Sequence, residues 1–274
     1  MLRQLLEQEG VAKPEDFCLP AFPDDEALFR THAEEYVVAL RNNAIEARPW
    51  KRVGLPWSED LVRRTHIAVA GTLLTARLAL RHGLACNTAG GTHHAFRAYG
   101  SGFCIFNDIA FAVIQLLHQR VIQRALIIDL DVHQGDGTND FFQEMDQVFT
   151  FSIQCEKNFP AKRVSGSRDI ELAEGTADDE YLRVLGEQLP LITEASKPDL
   201  VIYDAGVDPH NEDALGRLSL TTNGLYQRER MVLQYFVERE IPVAGVIGGG
   251  YDPDRDALVD RHAILHRVAR EFDR

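Results

Sequence analysis

The sequence has little that would tie it to a membrane, an oxidising compartment or a nucleic acid. No apolar run approaches the ~18–20 residues that cross a bilayer. The start, Met1-Leu2-Arg3-Gln4-Leu5-Leu6-Glu7-Gln8-Glu9, has neither the apolar stretch nor the small-residue cleavage site of an export signal. A cytoplasmic protein with no membrane contact is therefore expected. Cysteine is scarce. Cys18, Cys86, Cys104 and Cys155 are widely spaced and form no CxxC pair, which excludes a small thiolate zinc module and favours free thiols. Basic residues are outnumbered, 29 against 42 acidic, giving a net charge of −13; Arg is commoner than Lys and both are scattered. Such a chain is repelled by phosphate backbones, so direct nucleic-acid binding is not expected. Repeats, low-complexity tracts and Ser/Gly linkers are absent.

What is present suits a globular domain: 274 residues, 45% hydrophobic and 26% charged. Residues 1–25, broken by Pro14, Pro20 and Pro23, read as an irregular segment. A helix is expected from Asp24 to about Asn43. Another follows Ser58, with Ile67, Ala70, Leu74 and Leu78 on one face and Gly83 at its end. Thereafter apolar runs at 125–131, 148–153, 200–205 and 242–247 alternate with helical stretches near 107–119, 178–196, 223–239 and 256–271. This alternation predicts one α/β domain, 1–274, with a mostly parallel central sheet flanked by helices. Such sheets bind ligands at the carboxyl ends of their strands.

The polar motifs sit at those ends. Asp129-Leu130-Asp131-Val132-His133-Gln134-Gly135-Asp136 puts three acids and a histidine after a buried strand. Unneutralised, these acids would repel one another, and Asp with His is a donor set suited to Zn²⁺. The plainer alternative is that Asp129 and Asp131 cap a helix or pair with arginine. Asp208, in Asp204-Ala205-Gly206-Val207-Asp208-Pro209-His210, offers a third ligand, with His210 as an alternative. Gly90-Gly91-Thr92-His93-His94-Ala95 can turn two imidazoles into one cavity, where Asp129 and Asp136 could orient them. In Gly248-Gly249-Gly250-Tyr251 the glycines permit a tight turn that places a phenol at the rim. Gly100-Ser101-Gly102-Phe103-Cys104 lacks the lysine of a phosphate loop. Phe103 and Phe159 could instead wall a narrow apolar tunnel, with Cys104 a buried inert thiol.

These motifs, with Gly102-Phe103-Cys104-Ile105-Phe106-Asn107-Asp108 among them, occur in an order that resembles the zinc-dependent histone deacetylase family, of the arginase–deacetylase fold. The likeness runs from about residue 30 to the end. The chain's compact length, its Asp-x-Asp-x-His-Gln-Gly stretch and Leu215-Gly216-Arg217-Leu218-Ser219 look most like the class IV and bacterial deacetylase-like branch.

The resemblance implies one Zn²⁺ per chain, held by Asp131, His133 and Asp208. His93 and His94 match the tandem catalytic histidines, with Asp129 and Asp136 as their partners, and Tyr251 matches the carbonyl-polarising tyrosine. Gly102, Phe103, Phe159 and Leu215 match the substrate channel. An inner K⁺ site would use Asp129, Asp131, His133, Ser152 and Ile153. The implied reaction is removal of acetyl or other acyl groups from lysine in a peptide or protein. Alternatives are an acetylpolyamine or other small amide as substrate, a binuclear manganese hydrolase, and an inactive reader of acyl-lysine. Two departures stand out. Thr92 replaces a usual aromatic residue, and the family's extra N-terminal strand with its His-Pro element has no counterpart before Met1, as in a truncated chain, which leaves one sheet edge short.

Overall fold

In the computed structural model, which describes residues 1–272, six parallel strands form one sheet in the order β1-β6-β5-β2-β3-β4. The strands are β1 (Leu84–Cys86), β2 (Ala125–Asp129), β3 (Val148–Cys155), β4 (Arg168–Leu172), β5 (Leu200–Asp204) and β6 (Val243–Val246). Both β2 and β5 are buried throughout their length. A parallel sheet covered on both faces leaves no polar side to alternate with, which is why these strands read as continuous apolar runs.

The helices are α1 (Leu2–Gln8), α2 (Asp25–Thr31), α3 (Glu34–Arg41), α4 (Ala47–Trp50), α5 (Glu59–His82), α6 (Asp108–His118), α7 (Asp136–Phe142), α8 (Asp178–Ser196), α9 (Thr222–Val237) and α10 (Arg255–Arg270). One core packs Leu185, Leu189, Val232 and Leu233 against Ile128, Phe151 and Tyr203. The other packs Ala76, Ile109 and Val113 against Ile127, Ile202 and Val246.

Four local features differ from expectation. Residues 1–25 are not wholly irregular. Leu2–Gln8 is helical and buries Leu6, and Glu9 beside it receives Arg267 Nη2 at 2.7 Å. The single helix over 24–43 is two, because tertiary bonds replace helical ones at the break. There Ala33 N–H donates to Arg97 O (2.8 Å), and the His32 ring meets Phe96 O and Asn107 N–H, both at 3.1 Å. In α5 the buried stripe takes in Val69, Ala70, Thr72, Ala76 and Ala79, so Ala70 of the expected face is in the core. Ile67, Leu74 and Leu78 instead line a cavity of about 1500 Å³ that extends from the α1 region and β1 to His93 and Tyr251. Strands β1 and β4 and helix α7 were not anticipated. They are short or partly exposed, so their apolar pattern is weak.

The order of strands matters for function. From β2 the chain moves outward to β3 and β4, then returns to the other side of β2 as β5 and β6. The reversal opens a crevice at the carboxyl ends of β2 and β5, the usual place for a ligand in a sheet of this kind. Asp131 and His133 leave the sheet on one side of it and Asp208 on the other.

Candidate active site

Across that crevice His133 Nδ1 lies 2.9 Å from Asp131 Oδ1 and 3.1 Å from Asp208 Oδ2. All three residues are buried, and one ligand atom from each lies within 4.8 Å of the other two. Backbone amides fix the carboxylates: Gly249 N–H donates to Asp131 Oδ2 and Val132 N–H to Asp208 Oδ1, each at 2.8 Å. A Cβ at Gly249 would sit 2.5 Å from both Asp131 Oδ2 and Asp208 Oδ2. Only glycine lets the Gly248–Gly250 turn close over the carboxylates. Two oxygens and one nitrogen, buried and convergent, form a three-residue donor set that fits a divalent ion such as Zn²⁺, whose catalytic sites leave a fourth position open.

Electrostatics agree with a cation here. Burial pushes the Asp208 carboxyl up to about 7, with the Asp131 charge adding to the effect. Burial opposes the charged His133 ring, but its hydrogen bonds to Asp131 and Asp208 overcome that and raise it to about 10. The site thus draws positive charge inward.

Beside this cluster the tandem histidines share one cavity. His93 Nδ1 is 2.7 Å from Asp129 Oδ2, His94 Nδ1 is 2.7 Å from Asp136 Oδ1, and the two Nε2 atoms are 3.1 Å apart. Burial disfavours charge on both rings. For His93 the charges of Asp129 and Asp131 prevail and it rises well above the usual value. For His94 the positive His93 adds to burial and holds it near 4. His94 is therefore the neutral partner at pH 7.

Tyr251 faces the same space, its ring 6.1 Å from that of His133 and 5.7 Å from that of Phe103. Burial, together with the Asp131 and Asp208 charges, raises its phenol and keeps the O–H as a donor. Phe159 stacks edge-on against His94 at 4.8 Å. Both phenylalanines are also 45% exposed, so each reaches from solvent to a site side chain, and Leu215 is equally exposed. Gly102 has a positive φ of 52° and lies so close to His94 that a Cβ would meet Cδ2 at 2.5 Å. His210 instead turns its ring to Thr222 Oγ1 (3.1 Å) and the Glu212 amide, away from the cluster. Ser152 pairs in register with Asp129, and its hydroxyl donates to Gln154. The residues of the expected potassium set lie at the end of β2 (Asp129), in the loop after it (Asp131, His133) and in β3 (Ser152, Ile153).

Several residues near the site escaped the sequence reading. Asp108 accepts the N–H groups of Gly91 (3.1 Å) and Thr92 (2.7 Å) and the Thr92 hydroxyl, shaping the turn before the histidines. That bonding explains a small polar Thr92. Asp213 accepts Tyr251 N–H at 2.6 Å and also the amides of Leu215 and Gly216. Asn158 Nδ2 donates to Leu215 O (2.8 Å) and lies 3.3 Å from His133 Nε2. Asp204 is fully buried and groups with His93 and Asp129, its oxygens without a hydrogen-bond donor among the described residues. Burial and the Asp129 charge raise its carboxyl well above the normal range. An acid at the end of an apolar strand was the only available signal for it.

Comparison with known proteins shows the family and the fold. Residues 1–265 match the histone deacetylase domain. The chain belongs to the histone deacetylase family. It is 51% identical over 271 residues to an uncharacterised protein of Picosynechococcus, covering 99% of this chain and 90% of that one. It is 32% identical to Arabidopsis thaliana histone deacetylase 2, covering 90% of this chain but 64% of the plant protein's own length. It is 30% identical to the acetoin utilization protein AcuC of Staphylococcus xylosus, covering 91% of this chain and 70% of that protein. A crystal structure of a histone deacetylase homologue complexed with SAHA superposes with a TM-score of 0.85 over 98% of this chain and 77% of that one, at 24% identity. At that identity the superposition speaks for the fold: one α/β domain with a six-stranded parallel sheet. Among the described residues no helix is long and apolar enough to cross a membrane.

Proposed function

We propose that this chain is a zinc-dependent amidohydrolase that removes acetyl or other acyl groups from lysine side chains, of the class IV and bacterial deacetylase-like type. The observation that carries the reading is the meeting of Asp131, His133 and Asp208 beside a carboxylate-held His93–His94 pair and the Tyr251 phenol, where Phe103 and Phe159 lead in from solvent.

Amide hydrolysis is slow because the carbonyl is a poor electrophile and water a poor nucleophile. A bound Zn²⁺ supplies Lewis acidity to the carbonyl and lowers the pKa of water from 15.7 toward about 7. Asp131, His133 and Asp208 would hold it. His94, neutral at pH 7, takes the proton of the attacking water and later returns it to the departing lysine amine. Asp136 fixes the ring of His94 through Nδ1. His93, charged and tied to Asp129, stabilises negative charge as it develops. The Tyr251 O–H donates to the carbonyl oxygen as it becomes an oxyanion. Phe103 and Phe159 give the methylene stem of an acyl-lysine two aromatic walls.

A binuclear manganese site is disfavoured. Gln134 and Gly135 after His133 and Val207 before Asp208 offer no carboxylate to bridge a second ion to the first. The test is turnover of an acetyl-lysine peptide by protein loaded with one Zn²⁺ per chain, abolished by a chelator and by a hydroxamate. A protein that binds one Zn²⁺ and the peptide without hydrolysing it would be a reader, not an enzyme.

A further inference from the structure

Cations that look scattered in the sequence belong to the segments that carry the two aromatic walls, Phe103 and Phe159. Arg52 is zipped to the channel wall: Gly102 N–H donates to Arg52 O (3.0 Å) and Phe103 N–H to Val53 O (2.9 Å). Its guanidinium lies 5.1 Å over the Tyr99 ring, and Lys51 beside it is exposed. Lys157 and Lys162 flank Phe159 in sequence. Arg217 follows Leu215, its amide donating to Asn158 Oδ1 (3.1 Å) next to Phe159. The chain has five lysines, and three of them are Lys51, Lys157 and Lys162.

The acids on this side do not balance them. Glu174 is shared between Lys157 (3.2 Å) and Arg217 (3.7 Å). Glu156 lies 3.9 Å from Lys157. Lys51, Arg52 and Lys162 have no acidic partner among the described residues. Across the opening the buried Arg261 holds both Glu212 and Asp252, at 2.6 and 2.7 Å, and offsets one of their two charges. Asp213 is turned inward onto three backbone amides, and the exposed Asp140 lies on the Tyr99 side. At physiological ionic strength charges are screened over about 8 Å. A substrate at the opening therefore responds to these neighbours and not to the distant net charge of −13.

We infer that the residues flanking the acyl-lysine of the substrate are acidic, held by Lys51, Arg52, Lys162 and Arg217 around the opening. The inference rests on the amidohydrolase reading above and sharpens it. It favours an acidic protein segment over a basic tail, and it disfavours an acetylpolyamine, whose remaining ammonium groups would meet these cations.

The experiment compares acetyl-lysine peptides of equal length with Asp/Glu, Ser/Gly or Lys/Arg flanks on the zinc-loaded full chain. Rim charge pairs are individually weak and salt-sensitive, but several act together. The acidic peptide should exceed the basic one in kcat/KM by roughly tenfold at low salt, and the gap should shrink at high salt. Both substituted positions in Lys51→Glu/Lys162→Glu are exposed and outside the catalytic set. This variant should lose the preference while turning over the Ser/Gly peptide normally. Equal rates for all three peptides, a preference for basic flanks, or a preference unmoved by the double substitution would overturn the inference. Displacement of a fluorescent hydroxamate by the same peptides ranks their affinities without hydrolysis. If no peptide is cleaved, the hydrolase reading fails while the flank preference is still decided.

Discussion

His93 and His94 meet nitrogen to nitrogen, Nε2 to Nε2 at 3.1 Å, while the outer nitrogen of each is held by its own aspartate at 2.7 Å. Two adjacent imidazoles are thereby made unequal. The first, beside Asp129 and Asp131, keeps a proton, and the second, more weakly supported, gives it up.

That inequality predicts different outcomes at the two positions. His94→Gln should lower kcat by about 10²–10⁴-fold, the range for a lost general base. His93→Gln should cost less. Zinc content should be unchanged in both, as neither ring belongs to the donor set. Equal losses at the two positions, measured by kcat with metal analysis, would remove the division of labour.

Tyr251→Phe keeps the ring against Phe103 and His133 and removes only the hydroxyl. Loss of one oxyanion donor typically costs about 10²–10³-fold in kcat. The variant should bind Zn²⁺ and a hydroxamate and turn over poorly. Near-normal turnover would take Tyr251 out of the mechanism.

Gly249→Ala should damage metal binding without touching a ligand. The added methyl would stand 2.5 Å from oxygens of both Asp131 and Asp208. Zinc affinity should fall at least about tenfold, in the range seen when groups supporting a metal's ligands are disturbed. Competition with a chromogenic chelator measures it. Because Zn²⁺ that binds only the folded state raises Tm, the zinc-dependent rise in Tm should also shrink. An unchanged zinc affinity would show that the glycine serves the turn alone.

A fourth prediction concerns pH and stability. Burial holds His32 down at about 4, with its ring bonded to Phe96 O and Asn107 N–H. An unfolded histidine takes up its proton near 6.5, whereas the folded one stays neutral until about 4. The native state is thus fully favoured above about pH 6.5 and loses stability as pH falls toward 4, by up to about 1.4 kcal/mol per pH unit from this residue. Urea titrations at about pH 7 and about pH 5 measure the slope, and His32→Gln should reduce it by one histidine's share, since burial also holds His94, His262 and His266 near 4. An unchanged slope would show that His32 does not contribute.

The sequence was most informative where one residue type had to do one job. Apolar runs ending in acids announced β2 and β5 with the groups they deliver, and Gly248-Gly249-Gly250 announced a close approach. What it could not show depends on contacts between distant segments. Nothing near position 32 signals a helix break, because the bonds that cause it come from Phe96, Arg97 and Asn107. Asp108, Asn158 and Asp213 act through backbone groups brought close only in the folded chain. The links of Arg52 to Gly102 and of Arg217 to Asn158 were hidden for the same reason, since each joins segments far apart in sequence.

The reversal of strand order between β2 and β5 also sets a schedule for the growing polypeptide. Asp131, His133 and the histidine pair are made early, Asp208 much later, and Tyr251 later still, after β6. Synthesis must therefore pass Tyr251 before the pocket has all its parts. An unfinished product with Asp131 and His133 alone has neither the convergent three-residue donor set nor the phenol opposite it.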